Sequence, residues 1–154
     1  MHHLQIRHSR GSEDILPVRQ LRYLVLRKPL GMPYEETLFA GDEHPLTSHV
    51  VAYSGDQAVG CLTLMPPEDS SGYKSVQLRG MAVLSEYQGK GIGSELLRFV
   101  AQVARSQGWM LWCKARQTAV AFYAANGWQV VGDAFEIPGI GPHYRMEWKN
   151  EIDV

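Results

Sequence analysis

The chain has 154 residues, of which 45% are hydrophobic and 20% charged, and its formal net charge is −1 at pH 7. This size and composition predict a single globular domain over residues 1–154. The balanced charge argues against a nucleic-acid partner, and no apolar run approaches the ~20 residues of a membrane span. Residues 1–5 lack a signal-peptide pattern, so we expect a cytoplasmic protein, as a monomer or homodimer.

The N-terminal segment predicts one strand and one helix. Leu4–Arg7 alternates as a strand does, and Ser12 is a candidate N-cap. The apolar residues that follow recur at helical spacing: Ile15, Val18, Leu21 and Val25. We expect the polar residues between them to form a solvated face: Arg19, Gln20, Arg22 and Arg27. The proline-containing segment 28–33 ends this helix.

Residues 34–49 form an irregular acidic segment that contains Glu35, Glu36, Asp42, Glu43, His44 and His49. The segment is either a solvated loop or part of a substrate-binding wall. Its histidines show no metal-ligand spacing with the cysteines, so no metal site is predicted. Cys61 and Cys113 lie in apolar, strand-like runs, which predicts buried free thiols.

The remaining elements predict one mixed-sheet α/β domain. Strands are predicted at 50–53, 58–64, 78–83, 109–114, 128–132 and 144–148, and helices at 92–107 and 118–126. The segment 66–72 is predicted to be a loop. The resulting order is β-α-β-β-β-α-β-α-β-β.

A glycine-rich, basic loop joins the central strand to its helix. It runs Gln88-Gly89-Lys90-Gly91-Ile92-Gly93-Ser94. Glycines allow close backbone approach to a ligand, and a helix N-terminus offers unpaired N–H groups, so this loop is a candidate phosphate or pyrophosphate site. It fits neither the Walker nor the dinucleotide pattern. The alternative is an ordinary glycine-rich turn.

Two motifs together resemble those of the GNAT superfamily of N-acetyltransferases. Gln88-x-x-Gly91-x-Gly93 is similar to the superfamily's acyl-CoA loop. The run Ala119-x-x-Phe122-Tyr123-x-x-x-Gly127-Trp128 is similar to its second motif, and the two occur in the right order. Alone, the second run would indicate only core packing.

The C-terminal segment resembles the ElaA-like and YjcF-like branch of that superfamily. The similarity lies in Phe135-Glu136, Gly141-Pro142-His143, Met146 and in Arg116 before the short helix. The order of Ile140 and Gly141 and the extra Pro138-Gly139 depart from the branch pattern. The resemblance implies a GNAT fold: a mixed, mostly antiparallel sheet, splayed at the central strands and flanked by helices.

The implied activity is transfer of an acetyl group from acetyl-CoA, as co-substrate, to a primary amine of a small molecule or peptide, by direct attack on the thioester. No metal is implied. A non-catalytic CoA-binding regulatory domain is the alternative, and a different acyl group or an oxygen acceptor is a third possibility.

The resemblance also implies roles for individual residues. The cofactor-binding set is Met81, Ala82, Val83, Gln88, Gly89, Lys90, Gly91, Ile92, Gly93, Ser94, Arg116 and Phe122. The central strand would separate from its neighbour after Met81, so that backbone groups of Met81 and Val83 bind pantetheine and the thioester carbonyl. Tyr123 would protonate the leaving thiolate. Glu43 and His143 are candidate substrate or base residues, with a water chain or a structural histidine as alternatives.

Overall fold

The computed structural model describes residues 4–70 and 72–150. These residues form two compact units: the first contains the described residues up to Pro66 together with Leu78–Leu97, and the second contains Pro67–Gln77 and the described residues from Arg98 onward. The described strands form a mixed sheet of nine strands. The prediction of a single domain over residues 1–154 stays a prediction.

The helices and strands have the following bounds. They are β1 Leu4–Arg10, α1 Ile15–Arg22, β2 Ser48–Ser54, β3 Gln57–Leu64, β4 Glu68–Ser70, β5 Tyr73–Val83, α2 Ile92–Gln107, β6 Trp109–Arg116, α3 Val120–Ala125, β7 Gln129–Val130, β8 Phe135–Ile137 and β9 Gly141–Trp148. A π-helical turn, Tyr23–Arg27, and a 3₁₀ turn, Lys28–Leu30, extend α1.

The first unit is an antiparallel sheet in the order β1-β2-β3-β5. Cys61 Sγ of β3 lies 4.0 Å from the carbonyl oxygen of Val18 on α1. A Cβ atom on the neighbouring Gly60 would lie 3.1 Å from Ile92 and 3.2 Å from Leu96, both on α2. Because consecutive strand residues point to opposite faces, α1 and the start of α2 cover opposite faces of β3.

The second unit is built around β6 and β9. The first half of β5 pairs with β6 in parallel, β9 pairs with β6 antiparallel, and the short strands β7 and β8 pair with β9. The buried side chains of this unit include Val76, Leu111, Cys113, Met146 and Trp148. The second half of α2 is anchored here, since the side-chain amide of Asn150 donates to the carbonyl oxygen of Ala104 at 3.4 Å.

The predicted helices and most predicted strands are confirmed, and both cysteines are buried and free. Two strands were missed: β4 lies in the segment predicted to be a loop, and β8 precedes β9. Each strand has only three residues, too few to show an alternating pattern in the sequence, and is recognised by its pairing with a neighbouring strand. The strand predicted at 128–132 is confined to Gln129–Val130.

The prediction that Ser12 caps the first helix is wrong. The helix begins at Ile15, after Asp14, whose φ is 49°. The preceding residues form a turn instead, in which Gly11 donates its N–H to the carbonyl oxygen of Thr47 at 3.0 Å. This backbone bond ties the turn to the segment before β2.

The pairing of β5 with β6 also ends earlier along β5 than predicted. Registered pairs with β6 run only from Lys74 to Gln77, whereas β5 stays paired with β3 up to Val83. The prediction placed the separation after Met81. A bulge in β5 follows within a few residues, and bulges bend and twist a strand.

Among the described residues, no helix is both long and apolar enough to cross a bilayer.

Candidate functional site

A β-bulge interrupts β5 at the start of the predicted cofactor strand segment. Cys61 pairs with Ala82 and Thr63 pairs with Arg79, so Gly80 and Met81 together oppose a single residue of β3. Gly80 has φ +64°, and a Cβ there would lie 2.9 Å from Arg22 Nε. Both the backbone conformation and the close approach of the guanidinium therefore require glycine.

The bulge leads into a backbone segment that faces away from β3. Leu84 donates its N–H to the carbonyl oxygen of Val59 at 2.9 Å, so the backbone groups of the preceding Val83 point the other way. The side-chain amide of Gln88 donates to the Val83 carbonyl oxygen at 3.0 Å. The expectation that the Val83 backbone is entirely free is therefore wrong for its carbonyl. Gln88 instead ties the loop to the end of the strand.

The glycine loop presents its backbone at the start of α2. Gly89 and Gly91 have φ of 76° and 82°, and no heavy atom lies within 4 Å of the Cβ position of either. These glycines are thus required by conformation rather than by packing. The exposed residues are Gln88, Gly89, Lys90 and Gly91. The Ile92 side chain is buried, so only its backbone can meet a ligand there.

A cavity of about 450 Å³ adjoins this loop within the first unit. Its lining includes Tyr87, Lys90, Ile92 and Glu95. The Lys90 ammonium lies 5.2 Å from the centroid of the Tyr87 ring. The first unit therefore combines a bulged strand, an open glycine loop and a helix N-terminus, which together suit a ligand with phosphate and amide groups.

Tyr123 lies in the second unit and is deeply buried, with 4% of its surface exposed. Its ring packs edge-on against Phe122 and Trp128, at centroid distances of 5.3 and 5.2 Å. Burial raises the pKa of Tyr123 well above its ordinary value, and the Cys113 thiol within hydrogen-bonding reach raises it further. The phenol therefore stays protonated through neutral pH.

His143 and Arg116 are directly paired across β9 and β6 in the second unit. His143 is buried, its Nδ1 lies 2.8 Å from the carbonyl oxygen of Gly141, and its ring lies 6.0 Å from that of Phe135. Arg116 is half-buried, and desolvation lowers its pKa. These contacts match the structural alternative for His143, and its role as a base stays a prediction.

Asp42 does not belong to a solvated acidic wall. It is 1% exposed and forms a 2.7 Å salt bridge with Arg22, which was wrongly expected on a solvated face and is 0% exposed. By contrast, Glu35, Glu36 and Glu43 are exposed. His49 is buried in β2, where its Nε2 lies 3.0 Å from the Asp42 carbonyl oxygen.

The buried Arg22 network was missed by sequence reasoning. Arg22 Nη1 donates to the carbonyl oxygen of Thr37 at 2.7 Å, and Nη2 donates to Thr63 Oγ1 at 2.8 Å. A signal was present: Arg22 follows the buried Val18 by four residues, so both occupy one face of α1. Because charged side chains are usually exposed, Arg22 was assigned to the solvated face despite this position.

Comparison with known proteins identifies the family. Residues 45–130 match the family model described as an acetyltransferase (GNAT) domain. The uncharacterized N-acetyltransferase YitI of Bacillus subtilis is 39% identical over 79 residues, which is 51% of each chain. N-acetyltransferase 8F1 of Rattus norvegicus is 34% identical over 128 residues, covering 73% of this chain and 58% of that protein. The chain therefore spans about half the length of these relatives.

Solved structures share the fold. An acyl-CoA N-acyltransferase of Pseudomonas aeruginosa has a TM-score of 0.80 at 21% identity, over 95% of this chain and 99% of that one. Escherichia coli ElaA has a TM-score of 0.79 at 19% identity, over 97% and 100%. An aminoglycoside 6'-N-acetyltransferase solved in complex with coenzyme A has a TM-score of 0.68 at 16% identity, over 96% and 99%.

The bulged central strand, the glycine loop and the helix that it opens define an acyltransferase-type fold. The chain belongs to the GNAT acetyltransferase family. The resemblance to that superfamily is thereby confirmed. The finer assignment to the ElaA-like and YjcF-like branch is not confirmed. The sequence identity to ElaA is too low to show more than a shared fold.

Proposed function

We propose that this chain is an acetyl-CoA-dependent N-acetyltransferase that transfers the acetyl group to a primary amine by direct attack on the thioester. The observation that carries the proposal is the bulge at Gly80–Met81 together with the open glycine loop that begins at Gln88. A strand bent at this point can offer its backbone to an amide-containing arm, and the loop can bind a pyrophosphate at a helix N-terminus.

The proposed cofactor contacts follow from these features. Backbone N–H groups of residues 88–94 bind the pyrophosphate. Backbone groups of Met81 and the N–H of Val83 pair with the pantetheine arm, and Ala82 lies between them. The N–H of Met81 or Val83 donates a hydrogen bond to the thioester oxygen, which stabilises the oxyanion that develops during attack. Arg116 and Phe122 complete the proposed cofactor set. Coenzyme A bound to a protein of the same fold supports this assignment.

The proposed chemistry forms a bond between the amine nitrogen and the acetyl carbon, and breaks the bond from that carbon to sulfur. The leaving thiolate takes the hydroxyl proton of Tyr123. Burial disfavours this step, because a phenol with a raised pKa is a weaker acid. The proton lost by the amine goes to Glu43, to His143 or to a water chain, which remain alternatives.

A second candidate is a non-catalytic CoA-binding domain on the same fold. The observation that favours it is the burial of Tyr123 against Cys113, which is also what a purely structural tyrosine would show. Binding of acetyl-CoA is common to both candidates, so only turnover separates them.

The deciding experiment follows thiol release from acetyl-CoA in the presence of a panel of primary amines, with mass spectrometry of the acceptors. We expect amine-dependent thiol release and a matching mass increase of one acetyl group. Calorimetric binding of acetyl-CoA without release for any amine would support the non-catalytic domain instead.

A further inference from the structure

Three arginine side chains gather around the Phe39 ring in the first unit. Three guanidinium groups approach the Phe39 ring: those of Arg22, Arg79 and Arg27, at 3.7, 4.5 and 5.4 Å from the ring centroid. Both carboxylate oxygens of Asp42 accept hydrogen bonds from Arg22, and one also accepts the Phe39 N–H at 2.6 Å. Both oxygens of Asp42 are therefore engaged by Arg22, and Asp42 makes no hydrogen bond to Arg79.

The guanidinium N–H donors of Arg79 are available to a ligand. Within residues 4–70 and 72–150, its half-buried side chain makes no hydrogen bond and no ion pair, and it contacts the face of Phe39. Burial lowers the pKa of Arg79, the charge of Arg22 lowers it further, and Asp42 offsets this in part. A guanidinium carries five N–H donors in a planar fork that matches a carboxylate.

Arg79 also lies next to the bulge. It directly precedes Gly80 and is two residues from Met81, or roughly 7 Å along a strand. Its side chain shares the Phe39 ring with Arg22 of α1, and Arg22 Nε approaches Gly80. A ligand group held by Arg79 would therefore lie close to the backbone at which the thioester carbonyl is proposed to bind.

We propose that Arg79 binds a carboxylate of the acceptor, so that the substrate is an amine that also carries a carboxylate, such as an amino acid. This inference rests on the proposed function. Asp42, which belongs to the acidic segment offered as a possible substrate-binding wall, is buried against Arg22 and is not available to bind the acceptor. The role of Arg79 is specificity: it orients the acceptor through a charge-assisted, bidentate contact.

The test compares amino acids with their carboxamides, which differ only in the charged group. We expect the acid of each pair to have a KM lower by about 10-fold or more. A neighbouring carboxylate raises the pKa of an amine, so at a given pH the acid has less free amine than the amide. A preference for the acid therefore cannot come from amine ionisation.

Variants then assign the preference to one side chain. Arg79→Gln should raise KM for the acid by about 10- to 100-fold and leave KM for the carboxamide and for acetyl-CoA unchanged. Arg79→Lys keeps the charge without the fork and should fall between the two. Arg7→Gln, at an exposed arginine of β1, is the matched control and should change none of these constants.

The outcomes separate the two proposals. Equal KM values for acid and carboxamide, or an unchanged ratio of these two KM values in Arg79→Gln, would overturn the role of Arg79. The proposed function would still stand if thiol release is observed. Absence of thiol release with every amine would overturn the proposed function, and this inference with it. Thermal melting checks folding, and Arg79→Lys carries the comparison should the glutamine variant melt below the assay temperature.

Discussion

Arg22 and Asp42 form a salt bridge of 2.7 Å in which both side chains are fully removed from solvent. The same guanidinium reaches Thr37 and Thr63, so a single buried charge joins α1, the segment before β2 and the strand β3. Its Nε has no hydrogen-bond partner among the described residues and faces Gly80. The bulge of β5 is therefore packed against this network.

Loss of Asp42 should destabilise the fold strongly. Asp42→Ala leaves the Arg22 charge buried without its partner, which typically costs about 3–5 kcal/mol. Urea unfolding followed by circular dichroism measures the change. Glu43→Ala is the control, because its exposed side chain should change stability by no more than about 0.5 kcal/mol. Similar losses in both variants would contradict a special role for the buried pair.

The bulge glycine should be sensitive to a single added carbon. In Gly80→Ala the new Cβ would lie 2.9 Å from Arg22 Nε and 3.0 Å from the Phe39 ring, at a φ of +64°. Gly55→Ala has almost the same φ, +61°, with no atom within 4 Å, so it reports the backbone strain alone. We expect a strain penalty of about 1 kcal/mol for Gly55→Ala and a clearly larger loss for Gly80→Ala.

Denaturant unfolding of the two glycine variants measures the difference. If they unfold with equal free energies, the contact between Gly80 and Arg22 does not constrain the bulge. If folded Gly80→Ala protein keeps full acetyl transfer, the bulge geometry is not needed for catalysis.

The sequence predicted the parts of the molecule that local rules determine. The helix from Ile92 follows from its apolar spacing, and the open loop before it follows from glycines at positions of positive φ. Arg22 was misplaced because its buried partner lies 20 residues away, and charge normally indicates exposure. The surroundings of Arg79 and the contact between Tyr123 and Cys113 depend on pairing between distant elements, which no local pattern encodes.

The glycine loop should lose cofactor affinity when a negative charge is added. Gly91→Asp places a carboxylate beside the proposed pyrophosphate site at a φ of 82°. Gly91→Ala shares the backbone strain without the charge, so the difference isolates the electrostatic part. We expect Gly91→Asp to weaken acetyl-CoA binding by at least about 2 kcal/mol in calorimetry. Unchanged affinity in the folded variant would remove this loop from the cofactor site.

Tyr123 should affect the chemical step rather than cofactor binding. Tyr123→Phe keeps the ring that packs on Phe122 and Trp128 and removes only the hydroxyl beside Cys113. We expect kcat to fall about 100-fold or more, with KM for acetyl-CoA nearly unchanged. Cys113→Ala keeps the phenol and removes the neighbouring thiol, so it should retain most of the activity. An unaffected kcat in Tyr123→Phe, measured where chemistry limits turnover, would show that another group protonates the thiolate.

The two buried thiols should make stability depend on alkaline pH. Burial raises the pKa of Cys61 and of Cys113 from 9.0 to about 12. The folded state therefore favours the neutral thiol. This contribution to stability is complete below the unfolded pKa, near 9, and is lost as the pH rises toward 12. The free energy of unfolding should fall over this window.

Because other groups also titrate at alkaline pH, variants must isolate the thiols. Cys61→Ala combined with Cys113→Ala should reduce the slope of unfolding free energy against pH above pH 9, and leave it unchanged below. In parallel, a thiol reagent at pH 8 should modify neither cysteine of the native protein, since both are buried. In urea the same reagent should modify both cysteines. Rapid labelling of the native protein, or an identical alkaline slope in the double variant, would show that these thiols are not held neutral by burial.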